Sequence, residues 1–130
     1  MSDVPISRDD DKTIPDSEGL WRRIHPTQVV RDKTTGAWRP SSATFKDQRG
    51  ELSVDLASLT TPERALAETP QHSLAEVKAA VFRVKGYIVV KDPLPTNIAH
   101  ALVYGKLTGA HLREIAGIAT WIVLRTEENE

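Results

Sequence analysis

The chain contains no cysteine, few aromatic residues and no long apolar run. Without cysteine, the protein has no disulfide framework, no thiolate metal site and no thiol nucleophile. No stretch approaches the roughly 18 apolar residues that a membrane-spanning helix needs, so we expect no contact with a membrane. The first thirty residues are too acidic for a signal or transit peptide, and the sequence therefore predicts a cytoplasmic protein.

Sequence motifs of the common enzyme classes are also missing. The chain has no nucleophile elbow, no glycine loop that would hold phosphates and no dinucleotide-binding fingerprint. Its four histidines lack the short paired spacings of a metal site, and they lie at His25, His72, His100 and His111. We therefore expect no metal and no cofactor, and the sequence favours a non-catalytic protein over an enzyme.

What the sequence does contain fits one domain with an uneven charge distribution. A length of 130 residues with 39% apolar residues is enough for one modest core. Residues 1–18 carry six acidic and two basic side chains, and residues 127–130 add three glutamates, whereas residues 19–126 have a net charge of +6. We predict a disordered acidic tail over 1–18, a single domain over 19–126 and a short acidic tail over 127–130.

Local patterns predict an α+β fold, with a small mixed or antiparallel sheet and two or three short helices. The clearest strand is LSVDLASL, in which Leu52, Val54 and Leu56 share one face. Further strands are predicted over 20–24, in AHALVYG and in TWIVL, which we expect to be a buried strand.

Two helices have clear starting signals. In LTTPERALAE, Thr61 acts as a cap and Pro62 takes the first helical position, so we predict a helix over 62–68. Thr108 caps a second helix in GAHLREIAG, which ends at its last glycine. The segment SLAEVKAAVFRVKGYIVV is ambiguous, and we interpret it as a short helical turn followed by two strands about Gly86.

A basic stretch runs from Arg22 to Arg49 with seven cations and two acids, and the aromatic residues Trp21, Trp38 and Phe45 lie just before it and within it. Cations that neutralise phosphates, beside aromatic rings that stack on bases, are typical of nucleic-acid binding. In a chain with only 5% aromatic residues, however, such rings are more often core anchors. Nucleic-acid binding is therefore an alternative and not the main hypothesis.

Single residues also mark a candidate binding site. Asp55 is an acid in the middle of a strand, and if its face is buried it needs a partner such as Arg22, Arg23 or Arg39. His100 lies on an alternating strand, where it either titrates near neutrality in a cleft or bonds to a backbone carbonyl. The full candidate set combines cations, hydroxyls, aromatic rings and these two residues: Arg22, Arg23, Trp38, Arg39, Ser41, Ser42, Asp55, His100 and Tyr104.

The stretch WRPSSATF concentrates several of these side chains. Pro40 fixes the backbone and biases Arg39 toward an extended conformation. Ser41 and Ser42 then either satisfy backbone groups in a turn or present their hydroxyls to a ligand. The ligand interpretation requires that Arg39 and Ser42 converge with Arg23 and Asp55 in one cleft.

Four segments together resemble a small set of uncharacterised bacterial single-domain proteins: LWRRI, RPSSATF, LSVDLASLTTPERALAE and AHALVYGKLTG. The likeness covers residues 20–124 and implies no particular activity. With the charged ends around a basic body, it leads to our main hypothesis, a non-catalytic module that binds another protein. A bacterial defence or toxin–antitoxin system is the setting that we expect.

A fainter resemblance is to the RES-type toxins of the ADP-ribosyltransferase-like fold, which consume NAD. It rests on the arginines of LWRR and on a serine-containing segment that leads to a strand and a helix. The resemblance implies that Arg22 or Arg23, together with Arg39, holds the NAD phosphates and that Ser41 or Ser42 orients the ribose. No late glutamate matches the acid of that family, so the alternative catalytic set is Arg23, Arg39, Ser42 and His100, with NAD as cofactor.

Overall fold

The computed structural model describes residues 9–126 and confirms the predicted α+β fold. Its strands are β1 (Gly19–Ile24), β2 (Val29–Arg31), β3 (Trp38–Pro40), β4 (Glu51–Leu56), β5 (Ser73–Lys78), β6 (Ile88–Lys91), β7 (His100–Tyr104) and β8 (Thr120–Val123). Its helices are α1 (Pro62–Ala65), α2 (Ala79–Val84) and α3 (Gly109–Ile118). No helix within this part of the chain is long and apolar enough to cross a membrane.

Six of the strands form one antiparallel sheet in the order β6-β7-β4-β1-β5-β8, while β2 and β3 form a separate pair. The longest register joins β1 to β5, from Gly19 opposite Lys78 to Ile24 opposite Ser73. β4 lies between β1 and β7 in the middle of the sheet. Because successive side chains of a strand point to opposite faces, β4 contributes residues to both faces of the sheet.

One face of the sheet carries the main core, and we call it the covered face. It is packed under the 3-10 turn Ser42–Phe45 and under α2 and α3, which contribute Phe45, Phe82 and Ile115. The strands contribute aliphatic side chains to the same cluster: Leu20, Leu52, Val54, Leu56, Val77, Val89, Ala101 and Val103. Burial of these apolar side chains is the main source of stability for the fold.

The opposite face is covered only in part. Over β1 and β5, Ala65 and Leu66 pack on Trp21 and Leu74. Over β4, β7 and β6, most of the alternate side chains remain half exposed. We call this second region the open face, and its residues are Glu51, Ser53, Asp55, Ile88, Val90, His100, Leu102 and Tyr104.

Both predicted helix starts are confirmed. The Thr61 hydroxyl accepts a hydrogen bond from the Arg64 N–H at 3.2 Å, and Thr108 does the same for His111 at 3.1 Å. The first helix ends at Ala65 and is therefore shorter than the predicted 62–68. The residues that follow instead turn to place Leu66 in the cluster beside Trp21.

Two predictions about strands are wrong. The segment after His72 folds as strand, helix and strand rather than as a helical turn and two strands. Residues 73–78 pair with β1 over six positions, and this tertiary pairing overrides the local helix signal. The TWIVL segment is a strand, as predicted, but it is not buried: β8 lies at the end of the sheet order, and its side chains alternate between exposed and half exposed.

The predicted disordered tail over 1–18 is also wrong for residues 9–18. Ile14 is only 2% exposed and belongs to the main core. The Asp11 N–H donates to the Val89 carbonyl at 2.9 Å, while Arg83 forms ion pairs with Asp10 at 2.9 Å and with Asp16 at 2.8 Å. A buried isoleucine, an arginine and backbone hydrogen bonds thus hold this acidic segment. Residues 1–8 and the predicted tail 127–130 lie outside the described residues.

Candidate binding site on the open face

The strand register arranges the open face in three rows across β4, β7 and β6. In the first row, Asp55 lies opposite His100, and the Asp92 N–H donates to the His100 carbonyl at 2.9 Å. The second row contains Ser53, Leu102 and Val90, and the third contains Glu51, Tyr104 and Ile88. Polar and apolar side chains therefore lie side by side on this surface, about 5 Å apart across neighbouring strands.

Asp55 is the most deeply buried charged group of the site, with 1% exposure. Its Oδ2 atom accepts from the Arg23 guanidinium at 2.9 Å, and its Oδ1 atom accepts from the Asn97 amide at 2.8 Å. The Nε–H of Arg23 also donates to the Ala65 carbonyl at 2.6 Å. The prediction that Asp55 needs an arginine is confirmed for Arg23, and the two acceptors hold its guanidinium in one orientation.

An open cleft of about 440 Å³ lies above this pair. Arg23 lines it and keeps 37% of its side chain exposed. Within residues 9–126, its Nη1 group makes no hydrogen bond to the protein. The rim of the cleft combines charged, polar and apolar groups: Leu59, Thr60, Arg64, Glu68, Thr69, Pro95, Thr96 and Ile98.

His100 lies next to Asp55 and makes contacts through both ring nitrogens. Its Nδ1 atom is 3.0 Å from the Asp92 carbonyl and 3.0 Å from the Asp92 carboxylate. Its Nε2 atom is 3.2 Å from the Ser53 hydroxyl. The sequence left two environments open for this imidazole, a cleft or a hydrogen bond to a backbone carbonyl. The structure shows contacts to a carbonyl and to the side chains of Asp92 and Ser53.

The side chain of Arg22 points away from that of its neighbour Arg23 and lies on the covered face of the sheet. It donates to the carbonyls of Thr44 at 3.0 Å and Ser53 at 2.9 Å. Burial lowers the pKa of the Arg22 guanidinium; the charge of Asp47 opposes this shift, and that of Arg23 adds to it. These bonds tie the turn before β4 to the sheet, so Arg22 contributes to the fold and does not line the cleft.

The residues of WRPSSATF lie apart from the cleft. Arg39 donates to Asp32 at 3.2 Å and to the Pro40 carbonyl, and Arg31 stacks over the Trp38 ring at 4.2 Å. Ser42 begins the 3-10 turn, with Ser41 as the residue before it. None of these residues lines the cleft. Arg39 and Ser42 thus do not converge with Arg23, and the stretch is a hairpin strand followed by a turn.

Several residues of the site were missed by sequence reasoning. Asn97 and Asp92 come from the loop between β6 and β7, where no hydrophobic period shows the direction of a side chain. Arg64 lies on α1, and its sequence context predicts only that it belongs to a helix. Ser53 shares the alternation of Asp55, so the period of two was a signal that could have found it.

The described residues, 9–126, contain no group of three or more acidic or histidine side chains that could hold a metal ion. No family model, curated protein or solved structure matches the chain. The resemblances to bacterial single-domain proteins and to RES-type toxins therefore stay predictions. The geometry of the open face is the basis on which a function can be argued.

Proposed function

We propose that the protein is an interaction module that binds an acidic segment of a partner protein in the Arg23 cleft. The supporting observation is the state of the Arg23 guanidinium. Asp55 and the Ala65 carbonyl fix it, yet 37% of the side chain is exposed and the Nη1 group has no hydrogen-bond partner within residues 9–126. A guanidinium that is already oriented loses little conformational entropy when it binds a carboxylate.

The chemistry around Arg23 narrows the kind of segment that would bind. Arg64 adds a second guanidinium to the same cleft, and Glu68, a further charged group, also lines it. Leu59 is 39% exposed and Ile98 is 64% exposed on its rim, so apolar side chains of a ligand would lose contact with water there. The fitting ligand is therefore an aspartate or glutamate flanked by aliphatic residues in an extended peptide.

The two alternatives from the sequence, an NAD-consuming enzyme and a nucleic-acid binder, gain no support from the arrangement of the Arg23 cleft. The NAD hypothesis needs Arg39 and Ser42 beside Arg23, and they lie elsewhere. The nucleic-acid hypothesis needs rings that can stack on bases, but Phe45 is 1% exposed and Trp21 lies in a packed cluster. Trp38 is partly exposed, and the Arg31 guanidinium lies over its ring at 4.2 Å. A cytoplasmic location and a bacterial defence or toxin–antitoxin setting, both expected from the sequence, remain parts of the proposal.

A labelled peptide with one glutamate between leucines tests the proposal by fluorescence anisotropy. The matched peptide carries glutamine in place of glutamate. We expect binding of the glutamate peptide to the natural protein, and a loss of about tenfold to a hundredfold in affinity when either Arg23 or the peptide carboxylate is removed, since a hydrogen bond to a charged group contributes about 1.5–3 kcal/mol.

Two further variants separate binding from folding. Arg64→Ala removes a cleft cation whose side chain makes no hydrogen bond or ion pair within the described residues, so it weakens binding without loss of stability. Arg49→Ala changes an exposed cation outside the cleft and leaves binding unchanged. Equal affinity for the glutamate and glutamine peptides, or equal effects of Arg64→Ala and Arg49→Ala, would contradict the proposal.

A further inference from the structure

A second arrangement on the open face is independent of the cleft. Asp92, His100 and Ser53 form a line of contacts, with the carboxylate 3.0 Å from Nδ1 and the hydroxyl 3.2 Å from Nε2. Ser53 keeps part of its surface in solvent, whereas the His100 side chain beside it is only 14% exposed. A histidine with an acid at Nδ1 and a serine hydroxyl at Nε2 has the arrangement that activates the serine as a nucleophile.

The contacts also determine which ring nitrogen of His100 carries the proton in the neutral imidazole. Nδ1 lies within hydrogen-bond distance of the Asp92 carbonyl and of its carboxylate, and both groups only accept hydrogen bonds when the acid is ionised. The proton therefore belongs on Nδ1. Nε2 is left as an acceptor, so the Ser53 hydroxyl donates to it, which is the protonation state that a general base requires.

We propose that Ser53 is a nucleophile that takes the acyl group of a carboxylic ester, with His100 as its general base. In the first step, a bond forms between Ser53 Oγ and the carbonyl carbon, and the hydroxyl proton moves to His100 Nε2. The bond to the ester oxygen then breaks, and the alcohol leaves with that proton. Water then attacks the acyl-serine and gives a proton to Nε2; the bond from the acyl carbon to Ser53 Oγ breaks, the carboxylic acid leaves, and the proton on Nε2 passes to Ser53 Oγ.

Asp92 is a positioning residue in this proposal, because it acts on the substrate only through His100. It holds the ring by two acceptors, one from its backbone and one from its side chain. Loss of the carboxylate alone leaves the carbonyl in place to keep the proton on Nδ1. We therefore expect Asp92→Asn to reduce the reactivity of Ser53 less than a change of His100 does.

The neighbours of Ser53 identify the class of acyl group. Across the strands, Ser53 lies opposite Leu102, and Leu102 lies opposite Val90, so two half-exposed aliphatic side chains extend from the serine toward β6. An uncharged aliphatic chain would lie along this row and lose contact with water there. The substrate class is thus an ester of a short or medium aliphatic acid.

Covalent labelling tests the first half of the reaction. The intact protein is treated with an alkyl fluorophosphonate, which reacts with an activated serine as a bond forms between Oγ and phosphorus, fluoride leaves and His100 takes the proton. Mass spectrometry then counts the labels and locates the modified residue. We expect one label per chain, on Ser53, together with release of p-nitrophenol from p-nitrophenyl butyrate.

Variants decide between a nucleophile and a hydroxyl that only holds the imidazole. Ser53→Ala should give no label, and His100→Asn should slow labelling by about a hundredfold or more, as loss of a general base does. Ser58→Ala, which removes an exposed hydroxyl from the neighbouring 3-10 turn, should be labelled as fast as the natural protein. Circular dichroism confirms that each variant is folded before it is compared.

Two results would overturn this inference. The first is no labelling of the natural, folded protein at millimolar probe, because an activated serine on an accessible face must react. The second is a label that persists in Ser53→Ala or forms at the same rate in His100→Asn. Neither result bears on peptide binding in the Arg23 cleft, so failure of one proposal is distinguishable from failure of the other.

Discussion

Two arginines that follow each other in the sequence illustrate how differently the two faces of the sheet use the same side chain. On the covered face, Arg22 donates to two backbone carbonyls and joins a turn to β4. On the other face, Arg23 is fixed by a buried carboxylate and a carbonyl but keeps part of its surface in an open cleft. Position along β1 alone decides which guanidinium holds the fold together and which one can meet a ligand.

The same contrast extends to the whole sheet. The covered face is made of aliphatic and aromatic side chains with little or no exposure, from Leu20 on β1 to Val103 on β7. The open face places Asp55, Ser53 and His100 among half-exposed aliphatic residues. Folded proteins need the first kind of surface for stability, whereas polar groups with few internal partners are the usual means of binding and chemistry.

The largest effect on stability is expected on the covered face. Phe45 is 1% exposed, and Phe45→Ala should lower the free energy of unfolding by about 3–5 kcal/mol in urea denaturation, because it leaves a cavity in the core. Leu102→Ala on the open face should cost less than about 2 kcal/mol, since Leu102 is half exposed in the folded protein. Equal losses for the two variants would remove the distinction between the faces.

Asp55 is the one residue of the open face whose removal should damage the fold substantially. Asp55→Ala leaves the Arg23 guanidinium and the Asn97 amide without their acceptor, and we expect a loss of about 2–4 kcal/mol in the same assay. Asp92→Ala is the control, because Asp92 is 42% exposed and should cost less than about 1 kcal/mol. If Asp55→Ala cost as little stability as Asp92→Ala, the ion pair between Asp55 and Arg23 would not be what fixes the Arg23 side chain.

The ion pairs of Arg83 add a pH-dependent term on the covered side. Burial raises the pKa of Asp10, but hydrogen bonds from the Val89 N–H and from Arg83 outweigh it and lower that pKa below its usual value. Asp10 therefore stabilises the fold above the pKa of an unfolded aspartate, about 3.9, and this stability is lost as pH falls through the lower pKa of the folded state.

Arg83→Ala isolates this term. We expect it to lower the free energy of unfolding by about 1–2 kcal/mol at pH 7, since it removes hydrogen bonds to two acids and to one carbonyl. The difference from the natural protein should shrink when urea denaturation is repeated at pH 3. A difference that stays constant with pH would show that Asp10 does not contribute through its charge.

The smallest effect is expected for Ser53→Ala. The hydroxyl donates to His100 alone, so its removal should change the free energy of unfolding by less than about 1 kcal/mol in thermal denaturation. Labelling of the protein by a fluorophosphonate should nevertheless be lost. A stability loss as large as that of Asp55→Ala would instead assign Ser53 a structural role.

Sequence reasoning succeeds where a period or a cap determines the outcome. The alternation of Leu52, Val54 and Leu56 predicts β4 and its core face, and Thr61 and Thr108 mark the starts of two helices. It fails where distant pairing decides, as in residues 73–78, which join β1 against the local helix signal. The prediction for residues 9–18 also fails, because their acidic composition outweighs the signal of Ile14, which is buried in the core.

For the site, the sequence indicates which groups need partners but not where the partners come from. A buried acid in a strand calls for an arginine, and Asp55 with Arg23 confirms that step. The choice between Arg22 and Arg23 depends on which face each one reaches, which the pairing of β1 with β4 settles. Arg39 lies on β3, in the separate two-stranded pair. Asn97 comes from a loop, where the local sequence does not indicate which way a side chain points.

The central claim is that Arg23 is held by Asp55 at the edge of the open face, in an orientation ready to bind a carboxylate. Nuclear magnetic resonance of the nitrogen-15-labelled protein, titrated with the glutamate peptide, tests it most directly. We expect the signals of the Arg23 Nε–H and the Asn97 side-chain amide to move as peptide is added. The Trp121 indole N–H, which donates to the Trp38 carbonyl away from the cleft, should stay in place. A titration that moves Trp121 while Arg23 and Asn97 do not change would contradict the account.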